Sequence, residues 1–215
     1  MIGRAKITGA LIVAMLLLAF ASPAAQADPV FEFSNSSGDL TGIGGSSEKI
    51  TTEAGTIVCN KIEIAAPYSA SSQSTLSFVT VHSECKAFGF LSATVDSEIC
   101  AYVFDPYEKV GEGNYRAKFS VDCGAGESIK VVASTCSMEI QDVAGNQGLS
   151  YVALTNSENK ILMDPNVSPI VYQVTNDGFL CPFNGTGKKT DGTYTSTAAV
   201  KLTAAGGATA KVAGS

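Results

Sequence analysis

The stretch Val81–Pro106 holds the side chains of this chain that could most readily do chemistry. It contains the only histidine, His82, together with two of the six cysteines and several carboxylates. A cysteine thiolate beside an imidazole would form a nucleophile pair. On a regular strand, however, residues i and i+3 point to opposite faces, so His82 and Cys85 are not expected to meet. We therefore expect His82 to be a lone, exposed side chain.

Other catalytic arrangements find equally little support in the sequence. A Ser-His-Asp triad would have to use His82, and the chain has no G-x-S-x-G nucleophile elbow. A glycosidase pair needs two carboxylates held close together, one of them with a pKa raised by burial. The acidic residues of this stretch lie beside serine, lysine or turn residues, where a solvated charge is the ordinary outcome; they are Glu84, Asp96, Glu98 and Asp105. We predict no catalytic residue.

Metal and cofactor binding are not predicted either. The cysteines include no C-x-x-C pair, so their spacing does not fit a zinc site. Asp177-Gly178 and Asp191-Gly192 could contribute to a calcium loop, but turn formation explains both dipeptides and the spacing matches no EF-hand. The chain also contains no phosphate-binding loop and no cofactor fingerprint. We expect no cofactor.

Residues 1–27 have the features of a secretory signal peptide. Arg4 and Lys6 precede an apolar run from Leu11 to Phe20. Ala25-Gln26-Ala27 then supplies the small-x-small site that signal peptidase cleaves. The apolar run is shorter than the roughly 20 residues that span a bilayer. We predict cleavage after Ala27, secretion, and no stable membrane insertion once the signal is removed.

Charge and cysteine content after the signal are typical of an extracellular protein. Loss of Arg4 and Lys6 leaves 12 bases against 20 acids, a formal charge of −8. Such a surface argues against nucleic acid and anionic lipid, because both are bound through basic patches. A cell surface or an extracellular polymer is the class of partner that we expect. Six cysteines in an exported chain predict three disulfides.

The connectivity of these disulfides is open, since six cysteines allow fifteen pairings. Pairing of neighbours predicts Cys85–Cys100 and Cys123–Cys136, with Cys59–Cys181 joining the two ends. Each short closure of about 15 residues would remove roughly 3 kcal/mol of unfolded-chain entropy, and the long closure nearer 5. One geometric objection stands against Cys123–Cys136. A full hairpin through Ile129–Ala133 would leave those cysteines about 20 Å apart, whereas a bond needs Cα atoms within about 7 Å.

Alternation with a period of two dominates the chain beyond the signal and predicts an all-β fold. Tyr115, Ala117, Phe119 and Val121 face one way, while the residues between them face the other. Val58, Ile62 and Ile64 are predicted to share a face on an earlier strand. Gly124-Ala125-Gly126 and Asp191-Gly192 can supply the positive φ of tight turns. We predict about ten strands in an antiparallel β-sandwich stapled by three disulfides, with a closed β-barrel as the alternative.

The domain organisation predicted from the sequence is simple. No linker rich in Pro, Gly and Ser divides residues 28–215, which we therefore interpret as a single secreted β-domain. Within it, residues 28–47 and 204–215 are expected to be loosely ordered, because the first contains a polar loop and the second is low in complexity.

Several short motifs surround the cysteines. They are Gly55-Thr56-Ile57-Val58-Cys59, Cys100-Ala101-Tyr102-Val103-Phe104, Val121-Asp122-Cys123-Gly124, Cys136-Ser137-Met138-Glu139-Ile140 and Cys181-Pro182. Together they resemble a group of exported actinobacterial all-β proteins with paired cysteines and no assigned activity. The resemblance covers most of the chain after the signal. It implies an all-β fold with three disulfides and supplies no catalytic residue.

Two hypotheses about function follow. The first is a secreted, non-enzymatic β-protein that acts as a surface-associated, adhesive or binding module. The second is a secreted hydrolase, or a small-ligand or glycan-binding protein, whose site is assembled from distant loops. A concave pocket lined by Tyr68, Tyr102, Tyr107 or Tyr172, together with a carboxylate of raised pKa, would favour the second hypothesis.

Overall fold

The structure, a computed structural model, describes residues 27–44, 48–141, 151–179, 181–183, 185–196 and 200–214. The predicted signal peptide, apart from Ala27, lies outside the described residues. The strands are β1 Val30–Phe33, β2 Gly38–Gly44, β3 Glu48–Thr52, β4 Gly55–Tyr68, β5 Ser72–Gln73, β6 Leu76–Ala87, β7 Leu91–Asp96, β8 Ala101–Gly111, β9 Asn114–Asp122, β10 Ile129–Ala133, β11 Cys136–Ile140, β12 Tyr151–Ser157, β13 Lys160–Asp177, β14 Gly187–Ser196, β15 Val200–Ala204 and β16 Ala210–Ala213. A 3-10 turn, Ala205–Gly207, precedes β16. No helix among the described residues is long and apolar enough to cross a membrane.

The strand pairings are antiparallel, which confirms the predicted all-β class and agrees with a β-sandwich. Thirteen strands form one sheet in the order β11-β10-β7-β6-β8-β9-β12-β13-β14-β3-β4-β2-β15, and β16-β1-β5 form a second. The described residues thus contain sixteen strands rather than about ten. The difference arises partly because the two-residue strand β5 is too short for alternation to reveal it, and partly because β1, β2 and β16 lie in segments expected to be loosely ordered.

The large sheet closes on itself through its longest strands. The first half of β13 pairs with β12 and β15, and its second half pairs with β11. β14 pairs with parts of both halves of β13. β4 similarly pairs with β6 as well as with β2 and β3. These pairings join strands that are distant in the linear order, so most backbone groups of the sheet find partners on both sides.

Each of the three longest strands changes its buried face near its middle. At these points two residues, rather than one, separate consecutive buried side chains. The flanking pairs are Cys59 and Ile62 in β4, His82 and Cys85 in β6, and Val167 and Ile170 in β13. The prediction that Val58 shares a face with Ile62 and Ile64 is therefore wrong, since Ile57 and Cys59 enter the core instead.

The two segments expected to be loosely ordered contain strands. β1 pairs with β16 from Val30↔Ala213 to Phe33↔Ala210. β2 lies between β4 and β15. Phe31 is fully buried, and the ring of Phe33 stacks on Tyr68 with a centroid distance of 4.0 Å. That prediction is wrong for these strands because the two ends of the described chain pair with each other, which local composition cannot reveal.

The core is a continuous cluster of buried side chains contributed by most of the strands. The predicted alternation of β9 is confirmed, since Tyr115, Ala117, Phe119 and Val121 are all buried. Aromatic rings fill its centre: Phe104 lies 4.7 Å from Phe78 and 5.5 Å from Phe119 between ring centroids. Such tilted pairs stabilise the interior beyond their buried area.

All six cysteines form disulfides, but every predicted pair is wrong. The bonds are Cys59–Cys85, Cys100–Cys123 and Cys136–Cys181, in place of Cys85–Cys100, Cys123–Cys136 and Cys59–Cys181. Cross-strand register, not proximity in sequence, decides the pairing. Cys59 lies directly opposite Cys85 in the β4–β6 ladder. Cys100 and Cys123 lie just beyond the Ala101↔Asp122 pair of the β8–β9 hairpin.

The third bond joins the β10–β11 turn to the loop after β13. Cys136 opens β11 opposite Ala133, so it lies at the end of the β10–β11 hairpin that is farther from Cys123. This placement agrees with the geometric objection to Cys123–Cys136, because β10 carries the chain away from Cys123 along its whole length.

One predicted turn is confirmed and another is wrong. Gly124 and Gly126 have φ values of 76° and 83° and turn the chain between β9 and β10. Asp191-Gly192 instead lies inside β14, where Gly192 pairs with Ile170. A Cβ at Gly192 would lie 2.8 Å from the carbonyl oxygen of Ile170, so close backbone approach, not a turn, requires glycine there.

Candidate functional site

His82 lies in the interior, which contradicts the expectation of a lone, exposed histidine. Its side chain is 6% exposed. Because β6 changes its buried face after His82, the side chains of His82 and Cys85 both point inward. The geometric reason for excluding a Cys–His pair is therefore wrong. No nucleophile forms nonetheless, since the Cys85 sulfur is bonded to Cys59.

The imidazole of His82 belongs to a buried polar cluster with Ser97, Thr80 and Glu48. His82 Nδ1 lies 2.9 Å from Ser97 Oγ, and His82 Nε2 lies 3.7 Å from Glu48 Oε2. Ser97 Oγ donates a hydrogen bond of 2.9 Å to the backbone carbonyl of Thr80. The alternation of β6 directs Thr80 and His82 to the same face, and Ser97 follows β7 in the adjoining turn.

This cluster contains the residue types of a Ser-His-Glu triad but not the geometry of a working one. Ser97 is 0% exposed, so a substrate cannot reach its hydroxyl in this conformation. The hydroxyl proton is directed to the Thr80 carbonyl rather than to the imidazole. A base must accept the nucleophile's proton for attack to begin. The cluster therefore has a structural role in the protein interior.

Glu48 is a functional candidate that the sequence reasoning missed. Its side chain is 3% exposed, and its Oε2 atom has no hydrogen-bond partner. Burial raises the pKa of the Glu48 carboxyl, and the neighbouring His82 opposes part of that rise. Burial also raises the pKa of Tyr102 to about 12. A glutamate on a five-residue strand gives no local signal of burial, so only the tertiary structure reveals this site.

Two small cavities border the cluster. One of about 30 Å³ is lined by His82 and by apolar and aromatic side chains, including Tyr102, Phe119 and Tyr194. A second of about 10 Å³ adjoins Glu48. Such volumes suit individual water molecules, whereas ligand pockets are typically 300–1,000 Å³. Of the tyrosines named in the second hypothesis, Tyr68, Tyr102 and Tyr172 are buried in the core, and Tyr107 is 39% exposed on β8.

The other acidic candidates do not converge on a catalytic pair. Glu84, Asp96 and Glu98 are exposed, and the Asp105 carboxylate lies 3.7 Å from Lys118 Nζ. Asp191 has structural partners, since one carboxylate oxygen accepts from the Tyr172 hydroxyl at 3.0 Å and the other from the Glu53 amide. The side chain of Asp177 is outside the described residues. In the described part of the chain, no group of three or more His, Cys, Asp or Glu could hold a metal ion.

A different surface emerges where several turns meet at one end of the molecule. We call it the loop end; it comprises residues 53–56, 88–90 and 134–135 and the described part of 178–183. The Phe88 amide donates to the Thr56 carbonyl at 2.8 Å. Thr135 Oγ1 donates to the Phe179 carbonyl at 2.7 Å. The Cys136–Cys181 bond and a 5.6 Å edge contact between the rings of Phe88 and Phe183 complete the frame.

The loop end carries two strongly exposed aromatic side chains. Phe179 is 90% exposed and Phe90 is 70% exposed, more than any other large hydrophobic residue that the structure describes. Phe183, in the same loop as Phe179, is buried against Tyr172 and Phe88. Gly178 must remain glycine, because a Cβ there would lie 2.6 Å from the Thr135 Cβ. Exposed apolar side chains mark an interaction site where they form a contiguous patch, which makes Phe90 and Phe179 the candidates at the loop end. The sequence did not single them out, since they lie far apart along the chain.

Comparisons of the chain with protein-family models, with curated proteins and with solved structures found no match.

Proposed function

We propose that the protein is exported and acts outside the cell as a non-enzymatic binding module. In this proposal the loop end attaches to an uncharged polysaccharide at a cell surface or in an extracellular matrix. The observation that carries the proposal is the exposure of Phe90 and Phe179 on a support braced by the Cys136–Cys181 bond. An aromatic ring can pack its apolar face against the C–H face of a sugar ring.

The size of this apolar surface favours a polymer over a small ligand. Full burial of one phenylalanine side chain contributes about 1.5–3 kcal/mol, so two rings give roughly 3–6 kcal/mol before the costs of binding. That range corresponds to an affinity near millimolar for one contact. A repeating polymer compensates for weak single contacts, because several bound copies or rebinding at neighbouring sugars raises the overall affinity.

Charge and disulfide content support an extracellular, non-enzymatic role. Three disulfides persist in oxidising compartments, which is consistent with export. The acidic composition disfavours polymers of negative charge. The inaccessible hydroxyl of Ser97 argues against hydrolysis at the cluster around His82.

Sedimentation with insoluble polysaccharides tests the proposal. Cellulose, chitin and purified cell-wall polysaccharide would be incubated with the protein and with the variants Phe90→Ser and Phe179→Ser. We expect each variant to lower the association constant, measured from the bound fraction over a range of polymer concentrations, at least tenfold at unchanged melting temperature, since about 1.4 kcal/mol of lost contact gives that factor. Ile99→Ser is the matched control, because Ile99 is also an exposed apolar residue, at 50%, but lies in the turn before β8.

The same assay can overturn the proposal. Absence of wild-type binding to every polymer, or equal binding by the wild type and both phenylalanine variants, would contradict it. Release of soluble sugar during the incubation would contradict the non-enzymatic part and favour a secreted hydrolase.

A further inference from the structure

Glu48 and His82 form an interior ionisable pair that the proposed surface function does not use. Their side chains are 3% and 6% exposed, and they project inward from strands on either side of β4. Glu48 Oε2 faces His82 Nε2 at 3.7 Å and has no hydrogen-bond partner. A buried carboxylate without a neutralising partner costs several kcal/mol. The state of this pair therefore affects the stability of the whole fold.

The hydrogen bonds around Ser97 determine which nitrogen of His82 carries a proton. Ser97 has one hydroxyl proton, and it lies on the 2.9 Å contact with the Thr80 carbonyl, which can only accept. The 2.9 Å contact between Ser97 Oγ and His82 Nδ1 then needs a proton on Nδ1. Nε2 is left either as a bare acceptor or, in the imidazolium, as a donor. In both states Nε2 is the ring nitrogen that faces Glu48.

We propose that Glu48 and His82 together bind one proton, carried by either Oε2 or Nε2, and that this proton is a pH-dependent latch inside the fold. With one proton the pair is neutral overall, either as carboxylic acid and imidazole or as carboxylate and imidazolium. Loss of the proton leaves a buried carboxylate facing a nitrogen lone pair. Gain of a second proton leaves a buried imidazolium without a counter-charge. Both changes favour unfolding.

Among the described residues, none of the groups packed around Glu48 and His82 carries a charge. The titratable neighbours are Tyr102 from β8 and Tyr194 from β14, both phenols that are neutral at ordinary pH. The other neighbours are uncharged; they include Thr80 of β6, Ser97 after β7, Ile64 of β4, Phe119 of β9, Ile129 of β10, Ile140 of β11 and Met163 and Ile170 of β13. The proton balance can therefore be worked out for Glu48 and His82 alone.

The sign of the pH dependence follows from comparing the two states of the chain. In an unfolded chain a glutamate releases its proton near pH 4.3 and a histidine near 6.5. Between those values the folded and unfolded pairs each hold one proton. Above about pH 6.5 the unfolded pair loses its proton, whereas the proposed folded pair keeps it to higher pH, so the unfolding equilibrium constant rises with pH, by at most tenfold per unit. Below about pH 4.3 the unfolded pair binds a second proton, and stability falls toward acid.

Denaturant unfolding across a pH series tests the latch, with Glu48→Gln as the main variant. The glutamine amide can donate a hydrogen bond to Nε2 and does not titrate. The unfolding constant of the variant should therefore not rise with pH as that of the wild type does. We expect the ratio of the wild-type to the variant unfolding constant to increase as the pH is raised above about 6.5, by at most tenfold per unit. Glu108→Gln is the control, because Glu108 is an exposed carboxylate paired with Arg116 at 3.0 Å; its curve should run parallel to that of the wild type.

Nitrogen NMR of the wild-type protein gives an independent readout that needs no variant. His82 is the only histidine in the chain, so its imidazole signals are unambiguous. We expect Nδ1 to remain protonated across the folded pH range, with any change confined to Nε2. Parallel unfolding curves for the wild type and Glu48→Gln, or a neutral imidazole protonated on Nε2, would overturn the proposal. Neither result bears on polysaccharide binding. The latch and the proposed function are therefore tested independently, and either can be contradicted without the other.

Discussion

At Ser97 a single hydroxyl connects three interior polar groups. It donates to the Thr80 carbonyl at 2.9 Å, contacts the Thr80 hydroxyl at 3.2 Å and lies 2.9 Å from His82 Nδ1. Because Ser97 is fully buried, water cannot replace it without entering the core. The Ser97 hydroxyl therefore orients the imidazole and provides hydrogen-bond partners for the neighbouring polar groups.

Ser97→Ala should lower the free energy of unfolding by roughly 1–3 kcal/mol, since it leaves buried donors and acceptors without a partner. Ser92→Ala is the matched control, because Ser92 is exposed on β7; its effect should stay within about 0.5 kcal/mol. Denaturant unfolding at neutral pH measures both. Equal stability of the two variants would show that the Ser97 hydroxyl has no structural role.

The interior position of His82 could not be predicted from the sequence. Period-two alternation correctly buries Tyr115 and Phe119 of β9, but it assumes one unbroken face along a strand. β6 changes its buried face near Glu84, which has a φ of 54°, and no glycine or proline marks the change. Glu48 completes the pair from a different strand. Contacts between distant strands depend on the register of the whole sheet, which local patterning does not contain.

The disulfides differ in how well the surrounding strands protect them. Cys59, Cys85, Cys100, Cys123 and Cys136 are buried, whereas Cys181 lies half-buried in the loop after β13. The Cys136–Cys181 bond closes a separation of 45 residues, against 26 and 23 for the other two. In the chain-entropy account it therefore stabilises most, by roughly 4 kcal/mol compared with about 3.5. The longest closure is also the most accessible one.

Under native conditions a mild reductant should open Cys136–Cys181 first, because thiol–disulfide exchange requires access to a sulfur atom. Alkylation followed by peptide mapping would then find Cys136 and Cys181 labelled before the other four. In denaturant the three bonds should react at similar rates, which is the control for intrinsic reactivity. Earlier labelling of Cys59–Cys85 or Cys100–Cys123 would contradict this order. Loss of polysaccharide binding on selective reduction would connect the bond to the loop end.

Prediction at the level of elements succeeded where the signal was local. The buried face of β9 follows from alternation alone, since Tyr115, Ala117, Phe119 and Val121 all enter the core. The cysteine pairing did not, because Cys59 and Cys85 meet only when β4 and β6 pair in one particular register. Likewise, the dipeptide Asp191-Gly192 is typical of a turn, but Gly192 is needed because the backbone of Ile170 lies close to it. Only the pairing of β13 with β14 reveals this contact.

At the scale of the whole molecule, the two ends of the described chain are packed together. β1 and β16 pair along their full lengths, and Asn156 bonds both backbone groups of Val212 on the other side of β16. Pro29 is buried, and a Cβ at Gly214 would lie 2.7 Å from its Cα. The residues just after the predicted cleavage site therefore belong to the folded structure, which limits where the chain can be cut.

We predict that the exported form proposed above begins at Asp28. Cleavage after Ala27 leaves β1 complete, since this strand starts at Val30, whereas a cut after Phe31 or later would remove the Phe31 side chain from the core. Intact mass and N-terminal sequencing of protein from the culture medium measure the start. Replacing the small residue at the cut, as in Ala27→Lys, should block processing and retain the chain with the cells, because the peptidase pocket accepts small side chains. Wild-type protein that stays inside the cell with residues 1–27 attached would contradict both the cleavage and the extracellular role.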